Sequence, residues 1–366
     1  MGSNCSCFHA ANIDEKQFLQ DISTENNLMQ NHFSRPVQES ENLITSILID
    51  IGQLIKLQSV FRGHIDRHQT KNINIITTCS FPHSISIHEI GENEVKEYLN
   101  PSTLKIISKL GLSPYIPQLN LGLVSKGPVL IENQFVYIGQ WSPDNIREGI
   151  GTQYWKNGSV YEGAWKDNKA NGKGRMVHAN GDIYEGDWLN NRASGQGICK
   201  HSYGGINAGV KYEGEWKNDK QHGKGIEIWP KGDKYCGNYE NGVKHGNGKF
   251  EWADGSCYEG EFYKNFIQGF GSYRWSDGRC FTGDWKKNKM NGKGKFFWPD
   301  GRKFEGSYVD DKKSGFGVFT WKDGRKYEGF WNNGKQHGEG TYTSSNGVST
   351  SGTWHRGNKV HISQIL

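Results

Sequence analysis

The sequence is short of aliphatic side chains. Ala, Val, Ile, Leu, Met, Phe, Trp, Tyr and Cys together make up only 34% of its 366 residues, and 13% of the chain is aromatic. So few aliphatics cannot fill the core of a doubly wound enzyme or a helical bundle. No run of 18 apolar residues occurs, so no segment reads as a transmembrane helix. The amino terminus also lacks the apolar stretch of a secretory signal. Cysteine is sparse and unpaired. Cys5, Cys7, Cys79, Cys199, Cys236, Cys257 and Cys280 show no C-x-x-C spacing, which fits reduced thiols in a cytosolic compartment. A strong charge of one sign is missing too. Residues 1–136 hold 10 Lys/Arg against 13 Asp/Glu, and the rest holds 34 against 26. That small basic surplus is no nucleic-acid footprint.

Glycine and rings are what the chain has in quantity: 49 Gly, 13 Trp, 16 Tyr and 17 Phe. This aromatic content argues against generic disorder. Self-similarity at a fixed period decides the architecture. From Tyr137 a pattern recurs: aromatic-x-Gly-x-aromatic, a polar stretch, Gly-x-Gly, an aromatic, then Asp/Asn-Gly. The nine copies start at Tyr137, Tyr161, Tyr184, Tyr212, Tyr235, Tyr258, Phe281, Phe304 and Tyr327. Their intervals are 24, 23, 28 and then 23 throughout. Thr350 opens a degenerate tenth copy with Gly352 and Trp354, and the long interval holds a Gly-rich insertion around Tyr203–Val210.

One copy shows the expected geometry. In Tyr212-Glu-Gly214-Glu-Trp216, alternate residues share one strand face, and the glycine lets a ring lie over the backbone. Lys217–His222 is expected to loop back, with Gly223–Trp229 as the return strand. Asp254-Gly255, Asp277-Gly278, Asp300-Gly301 and Asp323-Gly324 suit tight hairpin turns. A single hairpin is too small to stand alone, so copies must stack to bury their aromatic stripe.

This spelling resembles the MORN repeat, roughly Y-x-G-x-W…G-x-G…D/N-G. The residues carrying it are Tyr137, Gly139 and Trp141; Tyr161, Gly163 and Trp165; Tyr184, Gly186 and Trp188; and Tyr212, Gly214 and Trp216. They continue through Tyr235 and Gly237; Tyr258 and Gly260; Phe281, Gly283 and Trp285; Phe304 and Gly306; and Tyr327, Gly329 and Trp331. Tyr239, Phe262 and Tyr308 replace Trp, keeping the ring. The resemblance implies a mainly β fold, an elongated solenoid-like array of stacked antiparallel hairpins. It also implies a scaffold that meets a membrane lipid or a protein. Lys173, Lys224, Lys249 and Lys293 lie in Gly-Lys-Gly or Gly-Lys-Phe contexts. They read as a solvated face or, alternatively, as contacts to anionic lipid.

The start, Met1-Gly2-Ser3-Asn4-Cys5-Ser6-Cys7, matches M-G-x-x-x-[ST] and resembles N-myristoylated proteins. One acyl chain binds membranes only marginally. Residues 8–40 are not basic, so thioacylation of Cys5 and Cys7 is the natural second signal. An unmodified start and a Cys5/Cys7/His9 metal site are the alternatives. From Asn42 to Gln69 the apolar period turns helical, with Leu54, Leu57, Phe61 and Ile65 on one face and Lys56, Arg62, Arg67 and Lys71 basic. Leu57-Gln58-Ser-Val-Phe61-Arg62-Gly63-His-Ile-Asp-Arg67 resembles the IQ motif. That implies calmodulin or another EF-hand partner, with Leu57 and Phe61 as anchors. Gln58, Arg62 and Arg67 would supply hydrogen bonds and charge, and Gly63 clearance. The alternative is a helix packed on the array.

The expected organisation is an acylation segment (1–12), a flexible spacer (13–41), the IQ helix (42–71), and a mixed connector and cap (72–136). The repeat array (137–354) and a tail (355–366) follow. In the connector, Ile85–His88 suggests a strand and Pro101–Leu110 a short helix ended by Gly111. Leu130–Asn133 suggests the return strand of a leading copy. No Walker loop, H-E-x-x-H, kinase signature or nucleophile elbow occurs. The expectation is therefore a non-catalytic scaffold without cofactor or metal. A ciliary or cytoskeletal component without a lipid anchor is the rival, and a homo-oligomer stays open.

Overall fold

The computed structural model describes residues 87–111, 122–202 and 208–365. They hold 22 strands and little helix. The chain forms two compact units. The first runs to Gly209 and the second from Val210, with Trp216–Asp219 grouping with the first.

The first unit opens with the short strand Ile87–Glu89, which pairs antiparallel with Val124–Ile131. Val124–Ile131 pairs in turn with Phe135–Trp141, beginning a meander that runs to Arg192–Lys200. The leading return strand is longer than its apolar spelling suggests. Glu132 and Asn133 form the turn, both with positive φ. Between the first two strands, the helix Pro101–Leu110 forms as its signals dictate. Asn100 Oδ1 accepts from the Ser102 N–H at 2.9 Å, Pro101 supplies a preset φ, and Gly111 ends the helix at φ 73°. This segment lies against the strands. Val95 and Tyr98 pack on Val136, with Leu130, Ile138 and Tyr154 around them. Gly111 O accepts from Arg175 Nη1 at 2.9 Å.

In the second unit, seven-residue strands such as Lys234–Glu240 alternate with nine-residue strands such as Val243–Glu251. Each pairs with the next in sequence, and Asn358–Ile365 closes the series against Ser349–His355.

Two kinds of turn join the strands, and the structure exchanges the roles the spelling suggests for them. The expected loop Lys217–His222 shrinks to Asn218 and Asp219, because the next strand already begins at Lys220. Both turn residues have positive φ, 51° and 65°. The same holds at Asp167-Asn168, Asn190-Asn191, Lys264-Asn265, Lys287-Asn288 and Asp310-Asp311. These are the two-residue turns whose twist matches paired strands, built at these places from Asn, Asp and Lys rather than glycine. The Asp-Gly turns are different. Gly255 N donates to Trp252 O and Trp252 N to Ser256 O, both at 3.0 Å, and only Gly255 has positive φ. That is a three-residue loop ending in a glycine bulge.

Candidate functional site

The repeat packs its rings on one face, and the glycines make this possible. A Cβ on Gly174 would lie 2.3 Å from the Tyr161 hydroxyl, and one on Gly163 would lie 2.5 Å from the Gly174 Cα. These paired glycines form a floor on which the repeat's own tyrosine lies flat. The ladder register shifts between Gly163 and Trp165, so Ala164 bulges. The Tyr161 hydroxyl donates to the Ala164 carbonyl at 3.0 Å. Tyr137, Tyr184, Tyr212, Tyr235, Tyr258 and Tyr327 make the same bond to the residue three places on. Burial raises the pKa of the Tyr137, Tyr212, Tyr235, Tyr258 and Tyr327 hydroxyls, that of Tyr327 to about 12, so they remain donors.

Trp165, Trp188, Trp285 and Trp331 each stand edge-on to two rings of the first aromatic position. Trp188 meets Tyr184 at 5.2 Å and Tyr161 at 5.1 Å, nearly perpendicular to both. Its indole N–H reaches Gly174 O at 3.1 Å, and Trp165, Trp285 and Trp331 repeat that bond. Where the ring changes, the bond changes. Tyr239 instead donates to Glu227 Oε2 at 2.9 Å, which Lys244 Nζ also reaches at 2.8 Å. The buried Tyr308 hydroxyl has no partner among the described residues. Every tyrosine, phenylalanine and tryptophan of the repeat signature named above is buried.

Opposite the second aromatic position, the facing strand offers one variable site. Ala170, Ala193, Ile267, Met290 and Gln336 fill it in some repeats, and Arg147, Lys244, Lys313 and Lys359 in others. Each cation there lies over rings. Arg147 sits 4.5 Å from the Trp165 ring, and burial lowers its pKa to about 10. Lys313 stands within 5.2 Å of the Trp298, Phe304, Phe319 and Trp331 rings, and burial lowers its pKa to about 8.

The other face carries the lysines singled out in the sequence. Lys173 pairs with Asp187 at 2.7 Å and Lys249 with Glu251 at 2.5 Å, so both charges are partly neutralised. Lys224 and Lys293 occupy the middle of Gly-x-Gly and are exposed. Their backbone N–H groups bond Glu215 and Asp284 at 2.9 and 2.8 Å. Phe270, 57% exposed, and the Phe316–Phe330 pair occupy this face as well. A trough of about 630 Å³ beside Phe270 is lined by Cys236, Lys249, Glu259, Glu261 and Ser272. In the first unit, the buried Arg175 on this face joins Glu185 at 2.7 Å and Glu162 at 3.5 Å beneath Gly111.

Two features escaped the sequence reading. One is the bulge that turns a carbonyl towards each tyrosine. It leaves no signal beyond the glycine spacing. The other is a second aromatic row in the second unit, legible as Trp229, Trp252, Trp275, Trp298 and Trp321 at intervals of 23 residues. Gly2, Cys5 and Cys7 lie outside the described residues. So do Leu57, Gln58, Phe61, Arg62, Gly63 and Arg67 of the IQ-like segment. Among the described residues, no group of His, Cys, Asp and Glu could hold a metal ion. No described helix is long and apolar enough to cross a membrane.

Solved structures offer distant likenesses. The TCP10 domain of Danio rerio CPAP aligns at 10% identity and TM-score 0.33, covering 57% of this chain and 95% of that one. The SAS-4 (dCPAP) TCP domain of Drosophila melanogaster, in complex with a proline-rich motif of Ana2, aligns at 14% and 0.28, covering 54% and 97%. Scores this low do not establish a common fold. No curated protein matches the chain. The MORN repeat profile matches nine segments: 137–160, 161–183, 184–202, 212–234, 235–257, 258–278, 281–301, 304–324 and 327–349. These segments fill more than half of the sequence and follow the structural repeats described above, so the chain belongs to the MORN-repeat family.

Proposed function

We propose that this protein is a membrane-anchored, non-catalytic scaffold with a separate docking helix for an EF-hand protein. MORN-repeat proteins are generally scaffolds associated with membranes or the cytoskeleton. The internal bonding of the array supports a binding role here. The repeat tyrosines and tryptophans bond within the array, and several carboxylates, such as Glu215 and Asp284, bind backbone N–H groups rather than a reacting partner. What the array offers is surface.

The observation that carries the anchoring is the spelling Gly2…Cys5-Ser6-Cys7 at the start. Myristate on Gly2 and thioester-linked acyl chains on Cys5 and Cys7 together hold a protein at the cytoplasmic face of a membrane, where one chain would not. Lys224 and Lys293 add an electrostatic contact to anionic headgroups. Residues Leu57–Arg67 grip calmodulin or a related light chain, Leu57 and Phe61 entering its apolar groove.

The test compares membrane pelleting of the wild-type chain with Gly2→Ala and with Cys5→Ser/Cys7→Ser. Both variants are expected to become soluble. If all three pellet alike, the anchor lies elsewhere, and a cytoskeletal partner of the array becomes the better reading. In the same lysates, Phe61→Ala/Arg62→Ala is expected to abolish calmodulin capture. Retained capture would remove the IQ assignment.

A further inference from the structure

The second aromatic row has no role in the scaffold reading above. Trp229, Trp252, Trp275, Trp298 and Trp321 each directly follow a nine-residue strand and open the glycine-bulged turn. Phe250, Tyr273, Phe296 and Phe319 stand between them, with centroids 4.3 to 5.6 Å apart along the row. All five tryptophans are half-buried. Unlike Trp285 and Trp331, whose indole N–H groups reach glycine carbonyls, none of the five has an indole hydrogen-bond partner among the described residues. The first unit differs at this place. His178 and Trp155 precede its turns, and Asn100 and Ile106 lie against its turn glycines Gly158 and Gly181. In the second unit, a Cβ built on Gly255 or Gly324 meets nothing within 4 Å.

Each tryptophan lies two strands from the next, which is about 9.4–9.8 Å. A polyproline II helix rises about 3.1 Å per residue with three residues per turn, returning one face every ~9.3 Å. An extended β-strand ligand covers three residues in about the same distance. It turns opposite faces to successive tryptophans, because its side chains alternate. Lys244 lies over the Trp229 ring, Arg279 over Trp275, Arg302 and Lys313 over Trp298 and Arg325 over Trp321, so a ligand meets the ring edges, where proline rings pack and the ligand's unpaired carbonyls accept from indole N–H groups. Charge narrows the ligand further. Arg279, Arg302 and Arg325 pair with Asp277, Asp300 and Asp323 beside them, whereas Lys234, Lys303 and Lys322 in the same turns make no ion pair among the described residues.

We infer that this row is a docking surface for a proline-rich, acidic segment of a partner protein, bound as a polyproline II helix across the strands. About ten residues of ligand span four tryptophans. The probe is a fluorescein-labelled (Pro-Pro-Glu)4 peptide, titrated against the full chain, with (Gly-Ser-Glu)4 as the flexible control. The proline peptide is expected to bind at least tenfold more tightly than the control. Trp275→Ser/Trp298→Ser is expected to remove that difference. Ser344 already stands at this place in a later turn, bonded as the tryptophans are. Equal binding of the two peptides, or binding unchanged in the double variant, overturns the proposal. If the variant fails to fold, indole N–H resonances of the wild-type chain decide. At least four of the five indole resonances of this row shift with the proline peptide under the proposal, and none shifts if it is wrong.

Discussion

At the scale of the residue, the tyrosine hydroxyl is the group that ties each bulge to its ring. Phe281 and Phe304 are natural controls, since they keep the ring without the bond. Tyr258→Phe leaves the Glu261 carbonyl without its donor at 3.0 Å. The expected cost is about 1 kcal/mol, read from denaturant unfolding. No loss would mean that water replaces the hydroxyl. Lys313 shows the opposite balance. Its ammonium is held among four rings, and burial, with Arg302 nearby, lowers its pKa to about 8. An unfolded lysine titrates near 10.4. Between these values the unfolded chain binds more protons, so this group makes stability rise from about pH 8 to pH 10. Lys313→Met, the residue Met290 places at the equivalent site, is expected to raise Tm at pH 7 and abolish that rise. A lower Tm would show that the ring contacts outweigh the burial of the charge.

At the scale of the element, the two-residue turns do more than reverse the chain. The second turn residue fastens each hairpin to the one before. Asn265 Oδ1 accepts from Lys244 N at 2.8 Å and Asn288 Oδ1 from Ile267 N at 2.7 Å, while their own N–H groups donate back to Lys244 O and Ile267 O. Asn168, Asn191 and Asp311 make the same pair of bonds. This explains why Asn and Asp hold positions of positive φ that glycine would fill with less strain. Gly334 has only the backbone half, donating to Lys313 O at 2.9 Å, and nothing lies within 4 Å of a Cβ built there. Gly334→Asn is expected to stabilise the chain by about 0.5–1 kcal/mol, from the added bond and the stiffer unfolded chain. Destabilisation at that site would mean that the side-chain bond cannot offset the positive φ of 80°.

At the scale of the whole molecule, the period is the structural unit. Neighbouring strands pair in sequence order, so a hairpin's partners are its immediate neighbours. Removing residues 281–303, one full period of 23, joins Arg279-Cys280 to Phe304 in the register that Phe281 held. The shortened chain is expected to fold, with a modest loss of stability. Removing one residue more or fewer turns the aromatic stripe of the joined strand to the wrong face. Limited proteolysis of the three deletions checks this. Equal resistance would mean that the register is not set by the ring stripe.

The nine copies, the alternation that puts Tyr and Trp on one face, and the Pro101–Leu110 helix were legible because they depend on local periodicity and capping. The glycine between the rings was legible as well, since a Cβ on Gly163 would lie 2.7 Å from the Tyr161 hydroxyl. The turns were located, but their types were not. Asp-Gly reads as a tight turn from either side, and only the pairing of strands shows that positive φ at both positions belongs to Asn-Asn and Asp-Asn instead. The acyl start and the IQ spelling are sequence statements alone, carried by residues outside those described. The tertiary structure decided which glycine carbonyl each indole meets and where a strand must bulge to serve a hydroxyl. It also decided that the second row of tryptophans lies half-buried beside its own cations in one unit, whereas a helix lies against the turns of the other. These depend on neighbours brought together across strands. A residue's partners there are set by register, which no local stretch of sequence contains.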